Sequence, residues 1–140
     1  MAESIFTKIV AGEIPCHRVY EDDHVLAFLD IGPVARGHTL VIPKACYEQL
    51  DDVPADVGAA LGSALPKVCA ALKHVTGCAG VNVLQNNGAP AGQVVMHVHF
   101  HLIPRYADGD GLAFTWKPGQ LSDDDAAKLK AGFSQALNTA

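Results

Sequence analysis

Cysteine is scarce and unpaired: Cys16, Cys46, Cys69 and Cys78 are the only four in 140 residues, and no two form a C-x-x-C motif. Without a secretory setting, that pattern argues for reduced thiols and against a disulfide framework. Basic residues are also few, ten Lys and Arg against fifteen Asp and Glu, giving a formal charge of −5. No global field therefore draws the chain to nucleic acid or to an anionic membrane. No uninterrupted apolar run approaches the roughly 20 residues that span a bilayer. Residues 1–10 lack the basic segment and long apolar stretch of a secretory signal, so a cytoplasmic setting is expected. Repeats, low-complexity tracts and linkers are missing too. Residues 1–140 therefore read as one domain, long enough to bury a real core.

What is present falls into a regular pattern. Ile5, Phe6, Ile9 and Val10 recur at helical spacing, and Gly12 and Pro15 end that short helix. Strands are expected at residues 18–21, 25–30 and 37–43, the first two joined by the polar turn Asp22-Asp23-His24. Val57, Leu61, Leu65, Val68, Leu72 and Val75 step by four and three, which predicts a helix over 55–75. Pro66 lies inside it and predicts a kink or break. Residues 80–85 and 95–103 complete the strands, separated by the loop Asn86-Asn87-Gly88-Ala89-Pro90-Ala91-Gly92. Ser122 before three aspartates reads as a helix N-terminus, with Ala126, Leu129, Phe133 and Leu137 as its buried stripe. Two or three helices against about five antiparallel strands make an α+β domain.

The segment His97-Val98-His99-Phe100-His101-Leu102 carries the chemistry. On a strand, His97, His99 and His101 share one face, while Met96, Val98, Phe100 and Leu102 share a purely apolar one. One side suits a core and the other a reaction. A single zinc is a poor fit for the whole row, because His97 and His101 lie roughly 13 Å apart at about 3.3 Å per residue. An elongated ligand such as a phosphate chain suits three imidazoles better. Histidine titrates near neutrality, so one row can hold a neutral nucleophile beside protonated phosphate ligands.

The run from His97 to Ile103 fits H-φ-H-φ-H-φ-φ, with φ apolar, and resembles the histidine-triad superfamily. Ile5–Ile9, Ile14-Pro15, Glu21-Asp22-Asp23, the segment 37–44 and Gly92-Gln93 extend the match over most of the chain, closest to the bacterial form of the Hint branch. The resemblance implies a homodimeric α+β fold with a five-stranded antiparallel sheet, acting on purine nucleotides without a cofactor. His99 takes the place of the family's nucleophile on the α-phosphorus, oriented by the main-chain carbonyl of His97. His101 corresponds to a phosphate ligand, and His38 to an additional histidine beside the first triad member. Asp30 corresponds to the ribose-binding carboxylate. Phe28, Ile5, Phe6, Ile9 and Leu40 match the purine pocket, though core packing explains these apolar residues equally well. Asn86 and Gln93 correspond to amides near the phosphate, with Gly88 and Gly92 letting the loop backbone approach the ligand.

The implied activity is hydrolysis of nucleoside 5′-phosphoramidates or related nucleotidyl conjugates through a nucleotidyl-histidine. Two rivals stand beside it: dinucleoside polyphosphate hydrolysis, and a nucleotide-binding module that contacts a protein partner and has vestigial catalysis. Ile103-Pro104-Arg105 after the triad resembles the fragile-histidine-triad branch, which implies the first rival, a basic residue there meeting a longer phosphate chain. Val94 departs from the family, where Ser or Thr often assists the leaving group. Ser4, Thr7 and Cys46 stand where several bacterial relatives carry structural-zinc ligands, so no metal is expected.

Overall fold

In a computed structural model, residues 3–107, 112 and 115–139 are described. Helix α1 (Ile5–Val10) begins at Ser4, whose side chain accepts from the backbone N–H groups of Phe6 and Thr7 while Thr7 Oγ1 accepts from Ser4 N–H. This reciprocal capping box is what lets so short a helix start where it does. Strands β1 (Arg18–Glu21) and β2 (Val25–Leu29) follow, turned at Asp22, whose Oδ1 accepts from His24 and Val25 N–H. After β3 (Thr39–Pro43) comes α2 (Ala55–Thr76), then β4 (Gly80–Gln85), β5 (Phe100–Arg105) and α3 (Asp123–Thr139). The strands form one five-stranded antiparallel sheet in the order β1-β2-β3-β5-β4.

Strand parity divides the core between the two faces of the sheet. Val25, Ala27, Val41 and Leu102 pack against Val57, Leu61, Ala64, Val68 and Leu72 of α2. Leu26, Phe28, Leu40 and Ile42 point to the other face and pack against Phe6 and Ile9 of α1. His101 pairs with Leu40 on β3 and Leu84 on β4, which fixes its place in the sheet.

Four expectations need correction. Helix α2 runs unbroken through Pro66. The carbonyl that Pro66 cannot pair is that of Gly62, and both residues are exposed, so water can satisfy it. In length and mean hydropathy α2 also reaches membrane-spanning dimensions, although it carries Asp56, Lys67 and Lys73 and lays one face on the sheet. The last strand begins at Phe100 rather than residue 95, because the preceding backbone is paired elsewhere: Val98 N–H donates to Tyr47 O, and Val95 O accepts from the Gln93 amide. Met96 accordingly leaves the apolar face and is exposed. Finally, Ser122 does start α3, its Oγ accepting from Asp125 N–H, but the expected stripe is not buried. Leu129, Phe133 and Leu137 are 49%, 66% and 72% exposed, and α3 has no extensive packing partner among the described residues.

Candidate active site

The three histidines of the row come together at the start of β5, on the α1 face. The His99 and His101 rings lie 4.9 Å apart, and the edge of Phe6 meets both His97 and His99 at 5.7 and 5.2 Å. Since residues 97–99 precede the ladder, side-chain and carbonyl contacts hold them, and those contacts dictate where each proton sits.

His99 Nδ1 lies 2.7 Å from the carbonyl oxygen of His97. A carbonyl only accepts, so Nδ1 carries the proton and Nε2 keeps a free lone pair, as a nucleophilic imidazole requires. His97 Nε2 is 2.8 Å from Pro43 O and must likewise be protonated, while its Nδ1 lies 2.7 Å from Ser4 Oγ. Both ring nitrogens of His97 are thus committed to protein partners. Its ring cannot serve as a phosphate ligand or leaving-group acid; its carbonyl is what reaches the site.

His38 stands beside the last triad member, not the first. Its Nε2 lies 2.9 Å from His101 Nδ1 and 3.6 Å from Asp30 Oδ2. The register that sets Leu40 opposite His101 brings this about, because His38 sits two residues before Leu40 at the entry to β3. Val34 N–H donates to His38 Nδ1, so the His38 proton sits on Nε2 and is offered to His101. His101 Nδ1 therefore accepts, and the remaining proton of neutral His101 lies on Nε2 as a donor.

Burial lowers the pKa values of His38, His97 and His101. His101 falls to about 4, through burial first and then the neighbouring His99 and His38. Burial thus favours the neutral forms of His38, His97 and His101 in the ligand-free site. The donor atoms of Asp30, His38 and His101 lie within 4.8 Å of one another, close enough to share a cation. An ion bound there would have to displace the proton between the two rings.

Asp30 follows β2 on the same face as Phe28. Its Oδ1 accepts from Gly32 N–H, and acceptor capacity remains on both oxygens of a partly exposed carboxylate. Phe6, Ile9, Phe28 and Leu40 form one buried cluster, whereas Ile5 is 52% exposed. Asn86 approaches Gly92, whose φ of +98° is what calls for glycine, since a Cβ there would make only an ordinary contact with the Asn86 amide at 3.5 Å. Gln93 is fully occupied elsewhere. Its Oε1 accepts from Gly88 N–H and its Nε2 donates to Glu48 O and Val95 O, so it latches the 86–93 loop and has no hydrogen left for a phosphate. Val94 is 86% exposed beside this latch.

Arg105 donates to Asn82 Oδ1 and Leu112 O, four residues beyond His101. Ser4 and Thr7 share the capping box, and Cys46 Sγ lies 3.7 Å from Met96 O. The resemblance gives Ser4 no role, yet a serine just before an apolar helical run is an N-cap signal legible in the sequence. A groove of about 400 Å³ lies on the opposite, α2 face, lined by Val19, Leu29, Val68, Leu72 and Val75 among others, away from the histidines.

The chain is similar to known proteins over most of its length. A Bacillus subtilis protein named hit is 50% identical over 113 residues, covering 81% of this chain and 78% of that one. A Saccharomyces cerevisiae protein named adenosine 5′-monophosphoramidase is 44% identical over 131 residues, covering 91% and 78%. The crystal structure of a HIT family protein from Bacillus anthracis superposes with a TM-score of 0.90 at 42% identity, covering 94% of this chain and 95% of that one. Residues 11–108 match the model of the HIT domain, and the chain belongs to the HIT family.

Proposed function

We propose that this protein hydrolyses purine nucleoside 5′-phosphoramidates, or related nucleotidyl conjugates, through a nucleotidyl-His99 intermediate. The observation that carries the reading is the His99 Nδ1–H bond to His97 O, which fixes the ring with its Nε2 lone pair turned to the site beside a donor on His101. The naming of a well-covered relative as an adenosine 5′-monophosphoramidase supports the choice of substrate class.

In the first step His99 Nε2 forms a bond to the α-phosphorus and the P–N bond breaks. The departing amine needs a proton. An anionic phosphate beside His101 opposes the burial that lowers its pKa, so the His38–His101 pair takes up one proton on binding and passes it to the amine. Asp30, 3.6 Å from His38 Nε2, favours the charged pair while its remaining acceptor capacity holds the ribose hydroxyls. In the second step water attacks phosphorus and gives a proton to the His38–His101 pair that protonated the amine, the P–N bond to His99 breaks to restore its lone pair, and the nucleoside monophosphate leaves.

Dinucleoside polyphosphate hydrolysis keeps the support of Val94, since a nucleotide leaving group needs less protonation, but Arg105 supports it less, because its guanidinium donates to Asn82 and Leu112. The test is kcat/KM on a panel of adenosine phosphoramidates and diadenosine triphosphate. Preference for the phosphoramidates is expected, and a tenfold or greater preference for the dinucleotide overturns it. A homodimer is part of the same proposal. It would give the exposed apolar stripe of α3 a surface to cover.

A further inference from the structure

We propose that Ser4 is a positioning residue for the reaction: its hydroxyl proton fixes the tautomer of His97 and thereby aims the His97 carbonyl at the nucleophile. The inference rests on the reading of His99 given above. A serine hydroxyl has two acceptor sites and one proton. In Ser4 both acceptor sites are taken, by Phe6 N–H at 3.1 Å and Thr7 N–H at 3.2 Å. The proton then has two candidates, Thr7 Oγ1 at 3.4 Å and His97 Nδ1 at 2.7 Å, and the shorter, bare nitrogen takes it. From the other side, Pro43 O requires the proton of His97 on Nε2. The two clamps agree, and together they hold a wholly buried ring in one tautomer and one orientation.

That restraint matters because of where the strand begins. Residues 97–99 lie outside the β5 ladder, so no regular strand pairing fixes the His97 peptide group. Its ring clamps and the bond from Val98 N–H to Tyr47 O do so, and the His97 carbonyl in turn receives His99 Nδ1–H. Ser4 is also the N-cap of α1, whose Phe6 ring meets both His97 and His99. One hydroxyl therefore joins the helix beside the nucleotide pocket to the segment that bears the nucleophile.

Two substitutions separate capping from proton donation. Ser4→Asp keeps a good N-cap but brings a carboxylate, which can only accept, against His97 Nδ1. Ser4→Thr keeps both functions. The expected result for Ser4→Asp is a melting temperature close to wild type with kcat for an adenosine phosphoramidate lowered roughly 10- to 100-fold, since small misplacement of a reacting group costs this much. KM should change less than kcat, and the acid limb of the pH–kcat profile should shift as His97 becomes titratable. Ser4→Thr should restore kcat and profile together. A folded Ser4→Asp protein with wild-type kcat and pH profile overturns the proposal.

Histidine ¹⁵N spectra of the full chain without substrate give a readout independent of turnover. Wild type should show His97 with Nδ1 unprotonated, and Ser4→Asp should protonate it. A wild-type His97 protonated on Nδ1 refutes the tautomer assignment whatever the reaction proves to be. Absence of any nucleotidyl transfer in wild type would instead count against His99.

Discussion

His101 carries a consequence for pH at the scale of one residue. Its folded pKa lies near 4, against an ordinary value of 6.5, because burial and two neighbouring imidazoles disfavour its charged form. Between those values the unfolded chain binds a proton that the folded site refuses. Stability is thus full above about pH 6.5 and falls as the pH drops toward 4, the direction required when the unfolded state binds more protons. Thermal melts of the ligand-free protein should show a lower midpoint at pH 5 than at pH 7.5. His101→Gln, which cannot titrate, should make the difference smaller, and an unchanged difference would assign the effect to other groups. The same residue shows what sequence conveys. Alternation placed three histidines side by side, because parity is a property of the backbone alone. The partner of His38 depends on which residue of β3 faces which of β5, a register that no local pattern contains, so the sequence-based assignment to the first histidine was displaced to the last. Gln93 was misplaced for a similar reason: its partners Glu48 and Val95 are backbone carbonyls, invisible to any motif.

At the scale of elements, α1, β1, β4 and the extent of α2 are legible because hydrophobic spacing, turn chemistry and helix-ending residues are local. Pro66 predicts a kink that α2 does not show, and the reason is exposure. A missing N–H costs a helix most where the orphaned carbonyl is shielded from water, and that of Gly62 belongs to an exposed residue. Pro66→Ala restores the donor and removes the ring's steric demand, so it should stabilise the protein by about 1–3 kcal/mol in urea unfolding at unchanged activity. No gain, or a loss, would mean that the rigidity proline gives the unfolded chain outweighs the strain it causes in α2. β5 starts later than its sequence pattern predicts, since two hydrogen bonds, Val98 N–H to Tyr47 O and the Gln93 amide to Val95 O, engage the backbone before Phe100. That pairing is what frees residues 97–99 to form the site.

The whole molecule leaves α3 unaccounted for within one chain. Its stripe has the amphipathic spacing of a core helix, yet Leu129, Phe133 and Leu137 face outward. Amphipathicity is local, but what it packs against is not, so the sequence could foresee the stripe and not its surface. Burying three such side chains contributes about 1.5–3 kcal/mol each, ample to favour association. The dimer reading predicts a mass of two chains by light scattering. The double variant Leu129→Asp/Phe133→Asp should approach one chain while keeping its sheet intact, since α3 takes no part in either core cluster. A wild-type protein that stays monomeric at high concentration removes the dimer from the account.

The covalent role of His99 is the claim on which the rest depends, and rapid acid-free quenching followed by intact mass analysis tests it most directly. During turnover of an adenosine phosphoramidate, wild type should gain the mass of one adenylyl group, localised to His99 by peptide fragmentation. His99→Ala should show no adduct and no turnover while binding AMP within about tenfold of wild type, or about 1.4 kcal/mol, because the base and ribose contacts proposed above involve α1, β2 and Asp30 rather than His99. An adduct on another residue, or a His99→Ala protein retaining a tenth of wild-type activity, would contradict the account.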